Sequence, residues 1–206
     1  AATVADLGNG SSDAGARLLD EFRKVIRDIK SLGGEIIVHA YEQFDSVSIA
    51  DVRNLIIELE KTEGHIDEVI LDYFELFEPG DGKKYMTSNE GERSRRRALG
   101  KAIKNVAIEL KTRIVSATQA NDITPALLED PDFVMTRHNV SEFKNVVEPF
   151  SAFVTLNQTR DEYRNGIMRL YVDKLRKQKG GQVIKIFQSY QTDRFYDRKR
   201  TLEEFY

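Results

Sequence analysis

The feature that most constrains this chain is an alternation. Over the first 120 residues, segments with apolar residues at helical spacing trade places with short β-branched runs. In residues 17–32, Leu18, Leu19, Phe22, Val25, Ile26 and Ile29 recur with the period of a helix, and Gly33-Gly34 ends it. Residues 35–41, EIIVHAY, read as a strand. Ser48 with Asp51 three residues on predicts a capping box, opening a second helix whose apolar face is Ile49, Val52, Leu55, Ile56 and Leu59. Val69-Ile70-Leu71 then reads as a fully buried strand, residues 92–111 as a long helix, and RIVSATQ as a third strand. An αβαβαβ order with connections this long predicts an α/β fold with a parallel core. Beyond a polar loop at residues 121–139 the pattern changes. AFVTLN, GIMRLYVDKL and QVIKIFQSY are strand-like, and the last two are expected to form a hairpin through the turn RKQKGG.

At 206 residues the chain suits one domain, read here as spanning 1–206 with a flexible lead-in at 1–16 and a tail at 197–206. A net charge of −3 provides no global basic field of the kind that draws nucleic acid. Basic residues confined to a few loops remain compatible with that value. Cysteine is absent, which excludes disulfide frameworks and thiolate metal sites and fits a reducing compartment. His39, His65 and His138 lack the spacing of metal ligands. No run is long enough to span a membrane, so a cytoplasmic location and no membrane partner are the expectation.

The chemistry of the chain hinges on why Val69-Ile70-Leu71 ends in Asp72. A carboxylate there is either a cap for the next turn or a ligand held at the open end of a parallel sheet. Two further strands end in polar residues: Thr118-Gln119 and, later, Lys174 with Arg176 nearby. Ligands of open α/β sheets bind beyond the carboxyl ends of the strands. A carboxylate suited to magnesium, an amide suited to sensing a phosphate and two cations form a coherent set for nucleotide hydrolysis. The basic run RSRRR, residues 93–97, reads as a solvated face beside Glu90 and Glu92.

Four stretches, in order, resemble replicative ring helicases of the DnaB type. VILDYFELF is similar to that family's Walker B strand, and SVSIADVRNLIIELEKTEG to the helix before it. RALGKAIKNVAIELKTRIVSATQAND resembles the helix and strand leading to the family's sensor glutamine. VDKLRKQKGGQVIKIF resembles the segment whose Lys and Arg, two apart, reach the neighbouring subunit's nucleotide. The resemblance covers residues 35–196. It implies a RecA-like three-layer core with a mainly parallel sheet ending in an antiparallel hairpin. It also implies ATP and Mg2+ as cofactors, single-stranded DNA as partner, and a hexameric ring of the complete protein. Asp72 is then the magnesium ligand, Gln119 the sensor, and Lys174 and Arg176 the fingers acting in trans on a neighbour's nucleotide. Arg137 and Lys144 fall where the family contacts DNA, with Lys144 standing in place of an Arg.

The pattern departs from the family in one respect. No GxxxxGK[ST] occurs, so the loop that grips phosphates with its backbone is missing, and the family's catalytic Glu has no counterpart before Arg17. Two readings follow: a piece of a longer ATPase domain without its first βα unit, or a divergent, non-catalytic interaction or scaffold subunit on the same fold. Retention of Asp72, Gln119, Lys174 and Arg176 together favours the first.

Overall fold

The computed structural model describes residues 13–41, 47–120, 123–139, 147–190 and 194–197. The chain divides into two compact units, Ala1–Phe44 and Asp45–Tyr206. The first contains helix α1, Asp13–Ser31, which begins inside the stretch read as lead-in. It stops where Gly33 adopts φ 82°, a left-handed conformation open to a residue without Cβ. Residues 35–41 follow without strand structure, against the sequence expectation. The physical reason is the lack of a pairing partner: no strand ladder among the described residues includes them, and Ile36 and Val38 stay half exposed.

The second unit opens on α2, Ile49–Glu63, with the expected capping box. Asp51 N–H donates to the Ser48 hydroxyl, and the Ser48 backbone N–H donates to the Asp51 carboxylate at 2.9 Å. Strand β1, Glu68–Leu71, leads into a single 3-10 turn, Phe74–Leu76. Helix α3, Asn89–Leu110, starts three residues earlier than the apolar period suggested, because Ser88 caps it by accepting from Gly91 N–H. Only glycine fits at 91: a Cβ there would lie 2.0 Å from the Met86 carbonyl oxygen. Strand β2, Arg113–Ser116, pairs in parallel with β1 in the register Glu68↔Arg113 to Leu71↔Ser116. The short helix α4, Pro125–Leu128, precedes β3, Ala152–Asn157. After the single-turn helix α5, Arg160–Arg164, come β4, Ile167–Leu175, β5, Gln182–Ser189, and β6, Arg194–Tyr196.

Pairing divides these strands into a parallel pair, β1-β2, and a four-stranded antiparallel sheet in the order β3-β4-β5-β6. The α/β class and the terminal hairpin hold. Among the described residues parallel strand pairing is confined to β1 and β2, with one isolated parallel bridge besides, Ser48↔Glu78. One expectation for β1 fails in consequence: only Leu71 is buried, while Ile70 is 72% exposed, since β2 is its single pairing neighbour. The core of the unit draws Ile49, Val52 and Ile56 from α2, Leu99, Ile103 and Val106 from α3, and Phe74 and Phe77 from the turn after β1. Outside that core, α2 and α3 are clasped by Arg53, whose Nε donates to both Glu109 oxygens at 3.0 and 2.9 Å. No described helix is long and apolar enough to cross a membrane.

Burial sets the first prediction. Leu99 is fully enclosed, so Leu99→Ala should cost about 2–5 kcal/mol. Ile70→Ala, at an exposed position, should stay within about 0.5 kcal/mol of wild type. Urea unfolding of the two variants checks both; equal losses would mean that the core lies elsewhere.

Candidate functional site

The candidate site is built on the shared C-terminal edge of β1 and β2. Side chains and loops prolong the ladder at both ends. Below it, Thr112 Oγ1 donates to Ile66 O at 2.8 Å and Arg113 N to Asp67 O at 2.9 Å. Above it, Ser116 Oγ donates to Leu71 O at 2.7 Å and Phe74 N to Ala117 O at 3.0 Å. These bonds hold the two strand ends level, and each then hands the chain to a polar residue: Asp72 after β1, and Thr118-Gln119 after β2.

Asp72 is exposed, and its carboxylate makes no hydrogen bond or ion pair among the described residues. The following 3-10 turn is capped by Tyr73, without a side-chain bond. The turn-cap explanation of this aspartate therefore lacks its contact. Gln119 is likewise exposed and uncommitted. An unengaged carboxylate at the end of a parallel strand fits a magnesium ligand, since such an ion takes one or two carboxylates and completes its shell with water and phosphate. No group of three or more His, Asp or Glu side chains that could hold a metal converges among the described residues. The 206 residues hold no phosphate-gripping motif to accompany it.

Between Asp72 and α3 lies a charge network that sequence reasoning assigned to solvent. Arg95 and Arg96, from the run RSRRR, retain only 15% and 19% side-chain exposure. Arg95 donates to Glu92, to Glu78 and to the Phe77 carbonyl at 3.0 Å, and Arg96 donates to Glu92 at 2.8 Å. Arg96 also faces Glu75 at 3.6 Å, and Glu75 accepts a hydrogen bond from the Thr118 hydroxyl. The network thus connects the end of β2 with the turn after β1 and the first turns of α3. Arginines at 95 and 96 following Glu92 by three and four were the available signal. The exposed reading failed because loop residues 75–78 bring further acceptors onto that face.

Lys174 and Arg176 sit on the other sheet. Phe153↔Lys174 and Val154↔Val172 are paired, so Asp173 is the extra residue of a β-bulge. Freed from the ladder, its carboxylate engages Arg137: Nε to Oδ2 at 2.8 Å and the Arg137 backbone N–H to the same oxygen at 2.9 Å. Arg137 Nη2 also donates to the Asp173 carbonyl at 2.9 Å. Lys174 Nζ donates to the carbonyls of Val147 and Glu148, both at 2.9 Å. Its burial, then the charges of Arg176 and Arg137, lower its pKa. Arg176 anchors only its backbone, N–H to Ser151 O at 2.8 Å; its side chain is exposed, with no hydrogen bond or ion pair among the described residues. Of the two cations, Arg176 is the one available to a ligand or a neighbouring molecule. Lys144 lies outside the described residues. The structure therefore brings Asp72 and Gln119 to one sheet edge, and puts Arg137, Lys174 and Arg176 together at the end of β4.

The Glu92 carboxyl is pulled down to about 2, chiefly by the hydrogen bond from Arg95 and further by Arg96, against the opposing effect of burial. A depressed carboxyl stabilises the fold above its ordinary value of 4.5 and loses that contribution as pH falls toward about 2. Thermal melts of wild type and Glu92→Gln should accordingly differ most above pH 4.5 and converge through that window. A gap that does not change with pH would show that the network contributes no charge stabilisation.

Two comparisons with known proteins yield nothing: no protein-family model matches the sequence, and no curated protein does. Solved structures do match. One is described as an ATPase domain, with a TM-score of 0.63 and 15% identity, covering 93% of this chain and 62% of that one. Another is "The Structure Of A DnaB-Like Replicative Helicase And Its Interactions With Primase", with a TM-score of 0.62 and 15% identity, covering 92% of this chain and 43% of that one. The chain spans less than two thirds of the length of either. At this identity the likeness is one of backbone, and it establishes the fold as the α/β architecture of RecA-like ATPase domains.

Proposed function

We propose that the chain is the larger part of the ATPase core of a DnaB-type replicative DNA helicase, which couples ATP hydrolysis to movement along single-stranded DNA as a hexameric ring. The observation that carries this reading is the Asp72 carboxylate one residue past the end of β1, without a hydrogen bond or ion pair among the described residues, with Gln119 three residues past the end of β2. It sits on a backbone that follows DnaB-like ATPase domains over nine-tenths of its length.

In this reading Asp72 holds magnesium, directly or through water, and the ion neutralises charge on the phosphates. Gln119, one residue beyond the Thr118–Glu75 contact, is positioned to pass a change at the phosphate to the network on α3. Arg176 projects from its own subunit and stabilises charge on a phosphoryl group bound by the next one. Lys174, with its ammonium on two backbone carbonyls, supports the strand end that carries Arg176. The phosphate grip comes from a segment other than this chain, so the 206 residues alone should bind ATP with magnesium too weakly for calorimetric titration to register. Micromolar binding would reveal a phosphate site of a different kind. The competing reading is a non-catalytic subunit on the same fold, favoured by that missing grip and by the engaged state of Lys174.

A mixing experiment on the complete protein separates the two. Arg176→Ala should lose hydrolysis by about 10³-fold or more while still assembling. Asp72→Asn should lose turnover with an unchanged melting temperature, because its carboxylate has no hydrogen bond or ion pair to lose among the described residues. Mixed rings, confirmed by native mass spectrometry, should recover part of the turnover, since some interfaces then pair an intact Asp72 with an intact Arg176. Mixed rings no more active than the separate variants would rule out a shared site.

A further inference from the structure

Loop residues 79–85 and one face of α3 enclose a cavity of about 400 Å3, and neither Asp72 nor Gln119 lines it. Helical spacing selects the α3 face. Leu99, Ile103 and Val106 turn into the core, while Arg95 and Arg96 are tied to Glu92, Glu78 and the Phe77 carbonyl. Arg97, Ala98, Lys101 and Ala102, spaced one helical turn apart in pairs, are left to line the cavity. The two alanines make a floor without bulk between the two cations. Arg97 has an exposed partner, Glu148 at 3.5 Å, a contact of little strength. Lys101 is exposed, and its ammonium makes no hydrogen bond or ion pair among the described residues.

The facing wall is a loop fixed in place along its length. Ile49 N–H donates to the Glu78 carbonyl and Glu78 N–H to the Val47 carbonyl, both at 2.9 Å. Gly80, at φ 76°, lies so close to the start of α2 that a Cβ would stand 3.2 Å from the Ser48 Cβ. Asp81 is engaged within the loop, accepting from Lys83 N–H at 3.1 Å and from the Tyr85 hydroxyl at 2.6 Å. The Tyr85 phenol is pushed up to about 12, by burial and then by that hydrogen bond, so it stays a donor and keeps its ring in the wall. Lys83 is the third cation of the lining, where Asp81 is the single carboxylate. In a chain of net charge −3 the cavity thus carries a surplus of positive charge.

We infer that this cavity binds a small organic phosphate carrying a flat ring, an anion the size of one nucleotide. The phosphate sits among Lys83, Arg97 and Lys101, and the ring lies against Tyr85 over Ala98 and Ala102. Two features of the lining select this class. Cations converging from two separately anchored elements suit a doubly charged group, to which Arg adds directional donors. The aromatic wall and the alanine floor offer nothing to a bare ion but fit the face of a ring. A cavity of this volume lies at the small end of ligand sites and holds one such unit. Asp72, Gln119, Lys174 and Arg176 take no part, so this site and the helicase reading stand independently.

NMR titration of the isotope-labelled 206-residue chain with AMP, at constant ionic strength and without magnesium, tests it. The amides of Tyr85, Arg97 and Lys101 should shift saturably with a midpoint of about 1 mM. That is far weaker than the micromolar binding that would mark a phosphate grip. Ribose phosphate, which lacks the flat ring, should bind about 10-fold more weakly. Lys101→Gln removes a charge, whereas Ala102→Leu fills the floor and leaves every charge in place. Each should weaken AMP binding by about 10-fold or more. Lys61→Gln, at the far end of α2, should change nothing. Shifts that do not saturate, or equal losses in Lys61→Gln and Lys101→Gln, would mean diffuse charge attraction and overturn the inference. So would an Ala102→Leu variant that folds and binds AMP as the wild type does. If that variant does not fold, ribose phosphate binding as tightly as AMP overturns it instead. A dT oligonucleotide that shifts the same amides at lower concentration than AMP would also overturn it, assigning the cations to a nucleic-acid strand.

Discussion

The parallel pairing of β1 with β2 is the constraint from which the rest of the site follows. Four residues on each strand would be a weak ladder by themselves, and parallel pairs are slightly less stable per residue than antiparallel ones. Here the ladder is lengthened by bonds that are not part of it, from Thr112 and Arg113 at one end and from Ser116 and Phe74 at the other. Because Ser116 and Phe74 bridge the strands where the chain turns away, Asp72 and Gln119 lie at the same end of the pair. Geometry of this kind needs no contact from Asp72 itself, and that leaves the carboxylate free.

The Arg95–Glu92–Arg96–Glu75 chain does for the loop what the ladder does for the strands. It converts a run of like charges into a tie between the first turns of α3 and the segment 75–78, with the Thr118 hydroxyl as its terminal donor. Partly buried pairs depend on complete hydrogen bonding for their worth. Arg95 meets that requirement through the Phe77 carbonyl in addition to its two carboxylates. A shift of Thr118 would therefore be felt at α3 through Glu75.

The elements legible in the sequence were those set by local chemistry. The Ser48–Asp51 capping box, the α2 face of Ile49, Val52 and Ile56, and the β4–β5 hairpin all follow from residues within one or two turns of each other. What sequence could not give was partnership at a distance. Residues 35–41 have the composition of a strand, yet no described strand pairs with them. Val69-Ile70-Leu71 has the composition of a buried strand, but with one neighbour Ile70 faces solvent. At the site, the positions of Asp72 and Gln119 on neighbouring strands were inferable from the αβαβ order. The capture of Arg137 by Asp173 was not, because it depends on a bulge that no local pattern announces.

That bulge gives β4 an unusual sensitivity to its own length. Between Val172, in register with Val154, and Lys174, in register with Phe153, one residue stands outside the count, and it holds Arg137. Replacing Asp173 would forfeit the Arg137 contact and leave the spacing intact. Removing it would leave Lys174 opposite Phe153 but take away the local bend and twist that the bulge imposes on the strand end carrying Lys174 and Arg176. In this strand the number of residues carries information independently of their identity. Insertions and deletions between 172 and 176 should therefore be tolerated less well than substitutions.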